Sequence, residues 1–490
     1  MALAPAVAAA TVFLASGAVL MLEILAVRLL APYVGLTMET TTSIIGAVLA
    51  GIALGAWVGG TAADRTDPRR LVVGLLIVGG LLALLTVPVV RALGPGARGH
   101  GNLAALGVTL ASLVPSAAVL SAISPTVARL QLRDLGASGT TVGRLSAFAT
   151  AGALVGTFGT GFVIVPLMPV STAVLVIGLS LTAAGFVLGA YLRVLSQPAA
   201  AATLVAIGGL ALLSATRDSP CDADTSYHCA RIEADPYVAT GKLLVLDGTY
   251  NSFIDTADRR NVAFPYTQWI ARATDAIAPP RKALNVVYVG GGAFTLPQWL
   301  LATRPGSHAR VLEVDGKLVD LDKERLGLKT SADLQAVVGD ARSSMRDVPT
   351  GSADIVVGDA FSGFSVPWQL LTREWIGEVK RALKPGGLYA INLIDTGKMD
   401  MARAEIATLS RQFRDVQLVA TPDASGDISR ESGNLVVLAS DTPRRWPGFD
   451  PDTTGGAVYD GEATAAFAAG GKQLRDDYAP VDQLLTPPKL

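Results

Sequence analysis

Four apolar runs in the second half of this chain end in residues that could hold a nucleoside and work on a group attached to it. NVVYVG (285–290) runs into Gly290-Gly291-Gly292, and ARVLEVD (309–315) carries Glu313. LQAVVGD (334–340) ends in Asp340 with Ala341 beside it, and ADIVVGD (353–359) ends in Asp359. Glycines at a strand end let backbone amides and a helix N-terminus approach a ligand closely, because no side chain intervenes. A carboxylate at Glu313 can accept from both hydroxyls of a ribose, and Asp340, with Ala341, suits the exocyclic amine of an adenine. Asp359 is left beside the reacting centre as a candidate general base. GGGAFTL lacks the later glycine of a dinucleotide fingerprint, so the set suits an adenosylsulfonium ligand better than NAD.

Residues so spaced must be aligned by a scaffold. The four runs, with GLYAINL (387–393) and NLVVLAS (434–440), lack clean apolar–polar alternation, which is the pattern of strands buried on both faces. Alternating with helical stretches, they predict a mostly parallel, Rossmann-like sheet flanked by helices, with the ligand beyond the carboxyl ends of its strands. KLLVLDG (242–248) reads as a strand ending in a turn and predicts a small β section ahead of that sheet.

The first part of the chain is of another kind. Half of the 490 residues are hydrophobic, and mean hydropathy is +0.44. Residues 1–215 hold only 10 Lys+Arg and 5 Asp+Glu, which leaves 30 and 36 of the chain's 40 and 41 for the rest. Seven stretches, near 6–33, 42–62, 71–91, 102–124, 146–167, 170–192 and 198–215, are long enough to cross a bilayer. The first is too long, and is followed by too much similar sequence, to be a cleaved signal peptide. The expected division is a transmembrane domain over 1–217, a linker and β section over 218–280, the nucleoside-binding domain over 281–445 and an extension over 446–490.

Arginines favour the cytoplasmic side of a membrane. Arg65, Arg69 and Arg70 follow the second stretch, Arg129, Arg133 and Arg144 the fourth and Arg193 the sixth; only Arg91 and Arg98 fall on the other side. The N-terminus is therefore expected inside and, after seven crossings, the C-terminal domain outside. The two cysteines, Cys221 and Cys229, follow the last stretch; whether they are bridged or are two separate thiols is open at this level. Glu23 and Arg28 lie within the first stretch, where ionisable groups are costly; Arg28 can snorkel to the interface, whereas Glu23 needs a partner, a pathway or a proton. GTAADRTDPRR (60–70) resembles the basic loop of major facilitator transporters, although a plain cytoplasmic turn capped by Asp64 explains it as well. No basic block points to nucleic acid, and His100, His228 and His308 are too scattered to predict a metal site.

Across nearly its whole length the chain resembles the spermidine synthase family, in particular its bacterial membrane-fused branch with a transporter-like N-terminal region. SGAVLMLEILAVRLLAPYVG (16–35) resembles that branch's first helix, and DDYAPVDQLL (476–485) its C-terminal signature. LDGTYN (246–251), VVYVGGGAF and KPGG (384–387) are similar to the family's turn, glycine-rich strand end and loop before the fifth strand. The resemblance implies a donor that is decarboxylated S-adenosylmethionine, or S-adenosylmethionine itself, held by Gly290, Gly291, Gly292, Glu313, Asp340 and Ala341. It implies aminopropyl transfer to a small amine, with Asp359 as base and Asn251, Tyr266, Gln268 and Ser362 lining the acceptor side. It also implies a bilayer as partner and leaves a homodimer open. Ala293, Ser362 and Gln268 stand where the family carries acids, and Asn251 where it carries glutamine, so the pocket for a diamine has lost charge. Two functions follow: a membrane-bound aminopropyl or methyl transferase, or a transporter or scaffold whose synthase-like domain only binds.

Overall fold

The computed structural model describes residues 3–34, 38–97, 101–132, 138–195, 197–215, 219–431 and 433–486; Gly35, Arg98, His100, Arg133 and the expected boundary at 217–218 lie outside them. The chain forms two compact units, Met1–Cys229 and Ala230–Leu490.

The first unit is helical. It comprises α1 (Pro5–Val34), α2 (Met38–Arg65), α3 (Pro68–Leu93), α4 (Gly101–Ser112), α5 (Val114–Ser121), α6 (Ile123–Gln131), α7 (Ser138–Gly159), α8 (Val165–Leu167), α9 (Val170–Leu192) and α10 (Gln197–Ala215). The fourth expected stretch is thus broken into three, and it runs on to Gln131. Pro115 and Pro125 explain the breaks, since each lacks the N–H that would continue the helix ladder. Five helices are long and apolar enough to cross a membrane, or six if Leu103–Ser112 and Val114–Gln131, bent by 47°, count as one. The seventh expected stretch coincides with α10, within which the segment Ala200–Leu210 ranks among the shorter apolar helices rather than the long ones.

Glycines set the helix pairing. A Cβ on Gly152 would lie 2.1 Å from the Phe13 carbonyl oxygen, one on Gly55 2.0 Å from that of Ala118, and one on Gly178 2.9 Å from that of Gly80. Hence α1 lies against α7, α2 against α5 and α3 against α9 at distances that only small residues allow. Asp67, rather than Asp64, caps α3, its side chain accepting from the Arg69 amide at 3.0 Å. Asp64 instead pairs with Arg129 at 3.3 Å.

After α10 the two-residue strand β1 (Ala223–Asp224) lies in a loop that a disulfide between Cys221 and Cys229 closes. Arg28, near the end of α1, donates to the Thr225 and Ser226 carbonyls, and Asp224 accepts from the Val170 amide at 2.6 Å. The end of α1, the start of α9 and this loop therefore share one face of the helical unit.

The second unit opens with an antiparallel meander of β2 (Cys229–Ala234), β3 (Gly241–Leu246) and β4 (Thr249–Asp255), followed by α11 (Pro265–Ile277). The main sheet holds β5 (Asn285–Val289), β6 (His308–Glu313), β7 (Leu334–Val338), β8 (Ala353–Gly358), β9 (Leu383–Ile394), β10 (Asp415–Ala420), β11 (Asn434–Ser440) and β12 (Ala457–Tyr459), with α12 (Thr295–Thr303) after β5. Its order is β12-β10-β11-β9-β8-β5-β6-β7. Strands β5 to β9 pair in parallel, and β10 to β12 extend the sheet antiparallel.

Both faces are covered. Val287, Val289, Val356 and Ile391 pack with Trp375 on one side, and Val286, Tyr288, Val357 and Leu388 pack with Trp269 on the other. Each such side chain, fully buried, contributes roughly 1.5–3 kcal/mol. Strands β10 and β12 are additional to the expected set. Residues 446–490, expected as an extension, supply β12 and bury Leu474 and Val481 in the core.

Candidate active site

The chain leaves β5 toward β6 and β7 on one side and returns to β8 and β9 on the other, so the strand order reverses between β5 and β8. A crevice opens at the carboxyl ends of strands where such a reversal occurs. Gly290 to Gly292 follow β5 there, and Asp359 follows β8. Gly290 has φ +94°, and a Cβ on it would lie 2.4 Å from the Asp359 carbonyl oxygen. A Cβ on Gly292, at φ +49°, would lie 2.4 Å from Ser252 Oγ and 3.2 Å from Asn251 Oδ1. The glycines are thus required by close approach of β4 on one side and of the β8 terminus on the other.

Glu313, at the end of β6, is 7% exposed. Its Oε2 accepts from the Gly291 amide at 2.7 Å and its Oε1 from the Asp315 amide at 2.9 Å. These two bonds hold in place a carboxylate, a group with about four acceptor positions and so of the type suited to a diol. Asp340 is exposed at the end of β7 and caps the short helix Ala341–Ser344, its Oδ1 accepting from the Ser343 amide at 2.9 Å. Ala341, beside it, is buried.

Asp359 has the most constrained setting. Its Oδ2 accepts from the Tyr266 hydroxyl at 3.2 Å and its Oδ1 from Asn392 Nδ2 at 2.9 Å. Asn392, on β9, in turn accepts from Asn434 Nδ2, on β11, at 3.1 Å. Burial pushes the Asp359 carboxyl up to about 7, against the opposing pull of the Asn392 and Tyr266 hydrogen bonds. Burial, with Asp359 beside it, also holds the Tyr266 hydroxyl well above its ordinary range, so Tyr266 remains a donor. An acid that titrates near neutrality in a site closed by hydrogen-bond donors is matched to proton transfer.

The structure therefore brings Gly290, Gly291, Gly292, Glu313, Asn251, Tyr266 and Asp359 together. The other expected acceptor residues are placed differently. Gln268 donates from Nε2 to the Val262 and Ala263 carbonyls at 3.0 and 3.3 Å, bracing the segment before α11. Ser362 is exposed in a tight turn, its amide donating to the Ser365 carbonyl at 2.8 Å. Ala293 is fully buried. Asn392 and Asn434 escaped the sequence reading. Their one sequence signal is an amide residue set in, or opening, an otherwise apolar strand.

Fold and site together define a doubly wound α/β domain whose strand-order reversal carries a glycine turn and a carboxyl, Asp359, held by two hydrogen-bond donors. No family model matches the chain. It is 27% identical over 188 residues to a polyamine aminopropyltransferase of Vibrio vulnificus, covering 38% of this chain and 58% of that protein. It is 27% identical over 154 residues to putrescine N-methyltransferase 4 of Nicotiana tabacum, covering 30% of this chain and 37% of that protein. The chain thus spans 58% or less of the length of these curated relatives. Among solved structures it is similar to a probable spermidine synthase from Corynebacterium glutamicum, with 26% identity, a TM-score of 0.47 and coverage of 53% of this chain and 96% of that one. The chain is similar to polyamine aminopropyltransferases.

Proposed function

We propose that this chain is a membrane-bound transferase that moves an aminopropyl or methyl group from an adenosylsulfonium donor to an amine, with Asp359 as general base. The observation that carries the reading is the half-buried carboxyl of Asp359, held by Tyr266 and Asn392 beside the Gly290–Gly292 turn at the reversal of strand order. An alkylammonium with a pKa near 10 loses its proton at a cost of about 4 kcal/mol at neutral pH. Asp359 takes that proton. The freed nitrogen lone pair forms a bond to the donor carbon, the carbon–sulfur bond breaks, and its electrons stay on sulfur as a neutral thioether. Glu313 and the glycine turn hold the ribose, and Asp340 with Ala341 faces the adenine.

The long apolar helices support a bilayer as the partner of the first unit. With α10 (Gln197–Ala215) as a seventh crossing, the arginine distribution favours an extracytoplasmic second unit, and the disulfide at Cys221–Cys229 is in keeping with that side. A second reading, a synthase-like domain that binds without turning over, draws on Gln268, Ala293 and Ser362, where neutral side chains leave a diamine without carboxylate partners.

Titration calorimetry of the purified full chain with S-adenosylmethionine, its decarboxylated form and methylthioadenosine tests the donor site. Micromolar binding that Glu313→Gln weakens by roughly 10–100-fold is expected, because the diol acceptor loses its charge. No heat with any of the three ligands would remove the transferase reading.

A further inference from the structure

Glu23 belongs to no part of the site above. It lies inside α1, is 9% exposed, and its Oε2 has no hydrogen-bond partner among the described residues. At about 100° per residue, Glu23 is turned roughly 120° around the helix from Gly17, the residue that meets α7. Val12, Val19, Ala26 and Leu30 share its side and are all buried, so the carboxyl is directed into the bundle. The protein offers it little counter-charge. No lysine precedes Lys242, and Arg28, the next cation along α1, is engaged by the Thr225 and Ser226 carbonyls and lies 3.8 Å from Asp224. Buried hydroxyls on other helices of the unit are spent on their own helices: Thr109 donates to Ala105, Thr126 to Ala122 and Thr182 to Gly178, at 2.8, 2.7 and 2.8 Å.

The helix that carries Glu23 packs against α5 and α6, the pieces of the broken span. Pro115 and Pro125 withhold donors from the carbonyls one turn earlier, at Ala111, which is exposed, and at Ser121, which is half-buried, leaving a main-chain acceptor on the broken span. The pairing itself is informative. Exchanging the spans α1, α2 and α3 with α4–α6, α7 and α9, in that order, maps the α1–α7 contact onto α2–α5 and returns α3–α9 to itself. Because each span then meets a counterpart of opposite direction, the unit has the layout of an inverted repeat, in which the broken span is the counterpart of α1. Ion and substrate sites in such layouts form at broken helices near the repeat junction.

We propose that Glu23 is the anionic ligand of a site for an alkylammonium ion in the helical unit. An unpaired carboxyl in apolar surroundings is tolerated in its neutral form. The entering ammonium displaces that proton, so –COOH and R–NH3+ give the –COO−/R–NH3+ pair and a released H+, with charge conserved. An ammonium has three N–H donors, which one carboxylate and main-chain carbonyls such as that freed at Ser121 can meet. A multivalent metal is not served, since no group of three His, Cys, Asp or Glu suited to a metal exists among the described residues. The inference rests on the membrane reading of the first unit and extends it.

The test uses the full chain in detergent carrying Asp359→Asn, which removes the carboxylate proposed for the second unit, with putrescine and methylammonium as probes. Binding of either should release about one proton per ion, and affinity should rise as pH rises through the range where the carboxyl ionises. Adding Glu23→Gln should abolish the release and weaken binding at least tenfold, whereas Glu23→Asp should keep the release. Equal affinity and equal release with and without Glu23→Gln would overturn the proposal. So would binding without proton release in the Asp359→Asn protein, a result that needs no change at Glu23. Failure of the transferase reading would show separately, as absent donor binding to the unsubstituted chain.

Discussion

Replacing Asp359 by asparagine should stabilise the second unit above neutral pH while removing its base. The carboxyl has an ordinary value of 3.8 and is pushed up to about 7 in the folded protein. A folded-state value above the unfolded one means that the native state binds the extra proton between the two. Stability is therefore fully present at low pH and is lost as pH rises through about 7. A difference of about three pK units corresponds to roughly 4 kcal/mol, of which about 2.5 kcal/mol develops between pH 5 and pH 8. Asparagine has the same shape and can still accept from Asn392, so Asp359→Asn should gain about 2–3 kcal/mol relative to the parent on going from pH 5 to pH 8. Asp322 and Glu405 are also buried acids held well above their ordinary range, but they contribute equally to both proteins and cancel in the comparison. Five of the six tryptophans, Trp269, Trp299, Trp368, Trp375 and Trp446, lie in the second unit, so intrinsic fluorescence during denaturant unfolding reports mainly on it. A stability difference that is flat with pH, or that turns against the variant at pH 8, would refute the placing of this carboxyl.

Tyr266→Phe and Asn392→Leu each remove a hydrogen bond that lowers the Asp359 value, so the rising limb of kcat/KM against pH should move to higher pH, further for Asn392→Leu. Glu405, fully buried on the helix Asp400–Leu409 with neither carboxyl oxygen partnered among the described residues, should give about 1–3 kcal/mol of added stability at pH 8 when replaced by methionine; denaturant unfolding reads this. Gly290→Ala, at φ +94° and 2.4 Å from the Asp359 carbonyl oxygen, should cost roughly 1–3 kcal/mol and also weaken methylthioadenosine binding in calorimetry. Among the described residues no cysteine is free. A cysteine placed at the exposed Ala332 should therefore be labelled in intact cells by an impermeant maleimide, and protection there would place the second unit inside.

The parallel core of the sheet was legible because its strands are apolar on both faces and end in Gly290, Glu313, Asp340 and Asp359, residues that a buried strand has no other use for. Strands β10 and β12 were not, since DVQLVA carries a polar residue amid its apolar ones and AVY is too short to show a period. The broken fourth span had its cause in plain view at Pro115 and Pro125, yet a run of apolar residues does not reveal whether proline bends or ends a helix. The acceptor side was the least legible. Gln268 and Ser362 match a motif by position, but Gln268 is committed to main-chain carbonyls and Ser362 to the solvent side of a turn. Asp359 is held by Tyr266, which the motif did mark, and by Asn392 on β9, itself held by Asn434 on β11; those two asparagines are distant in sequence and adjacent through the antiparallel pairing of their strands.

Transfer from an adenosylsulfonium donor with Asp359 as base leaves a neutral thioether as its product. Incubating the full chain with each donor and an amine, and quantifying methylthioadenosine and S-adenosylhomocysteine by mass spectrometry, tests it directly. Amine-dependent release of one of these thioethers is expected, reduced at least ~100-fold in Asp359→Asn, the lower end of the range for loss of a general base. Release of neither product with any donor, or equal release by the Asp359→Asn protein, would contradict it.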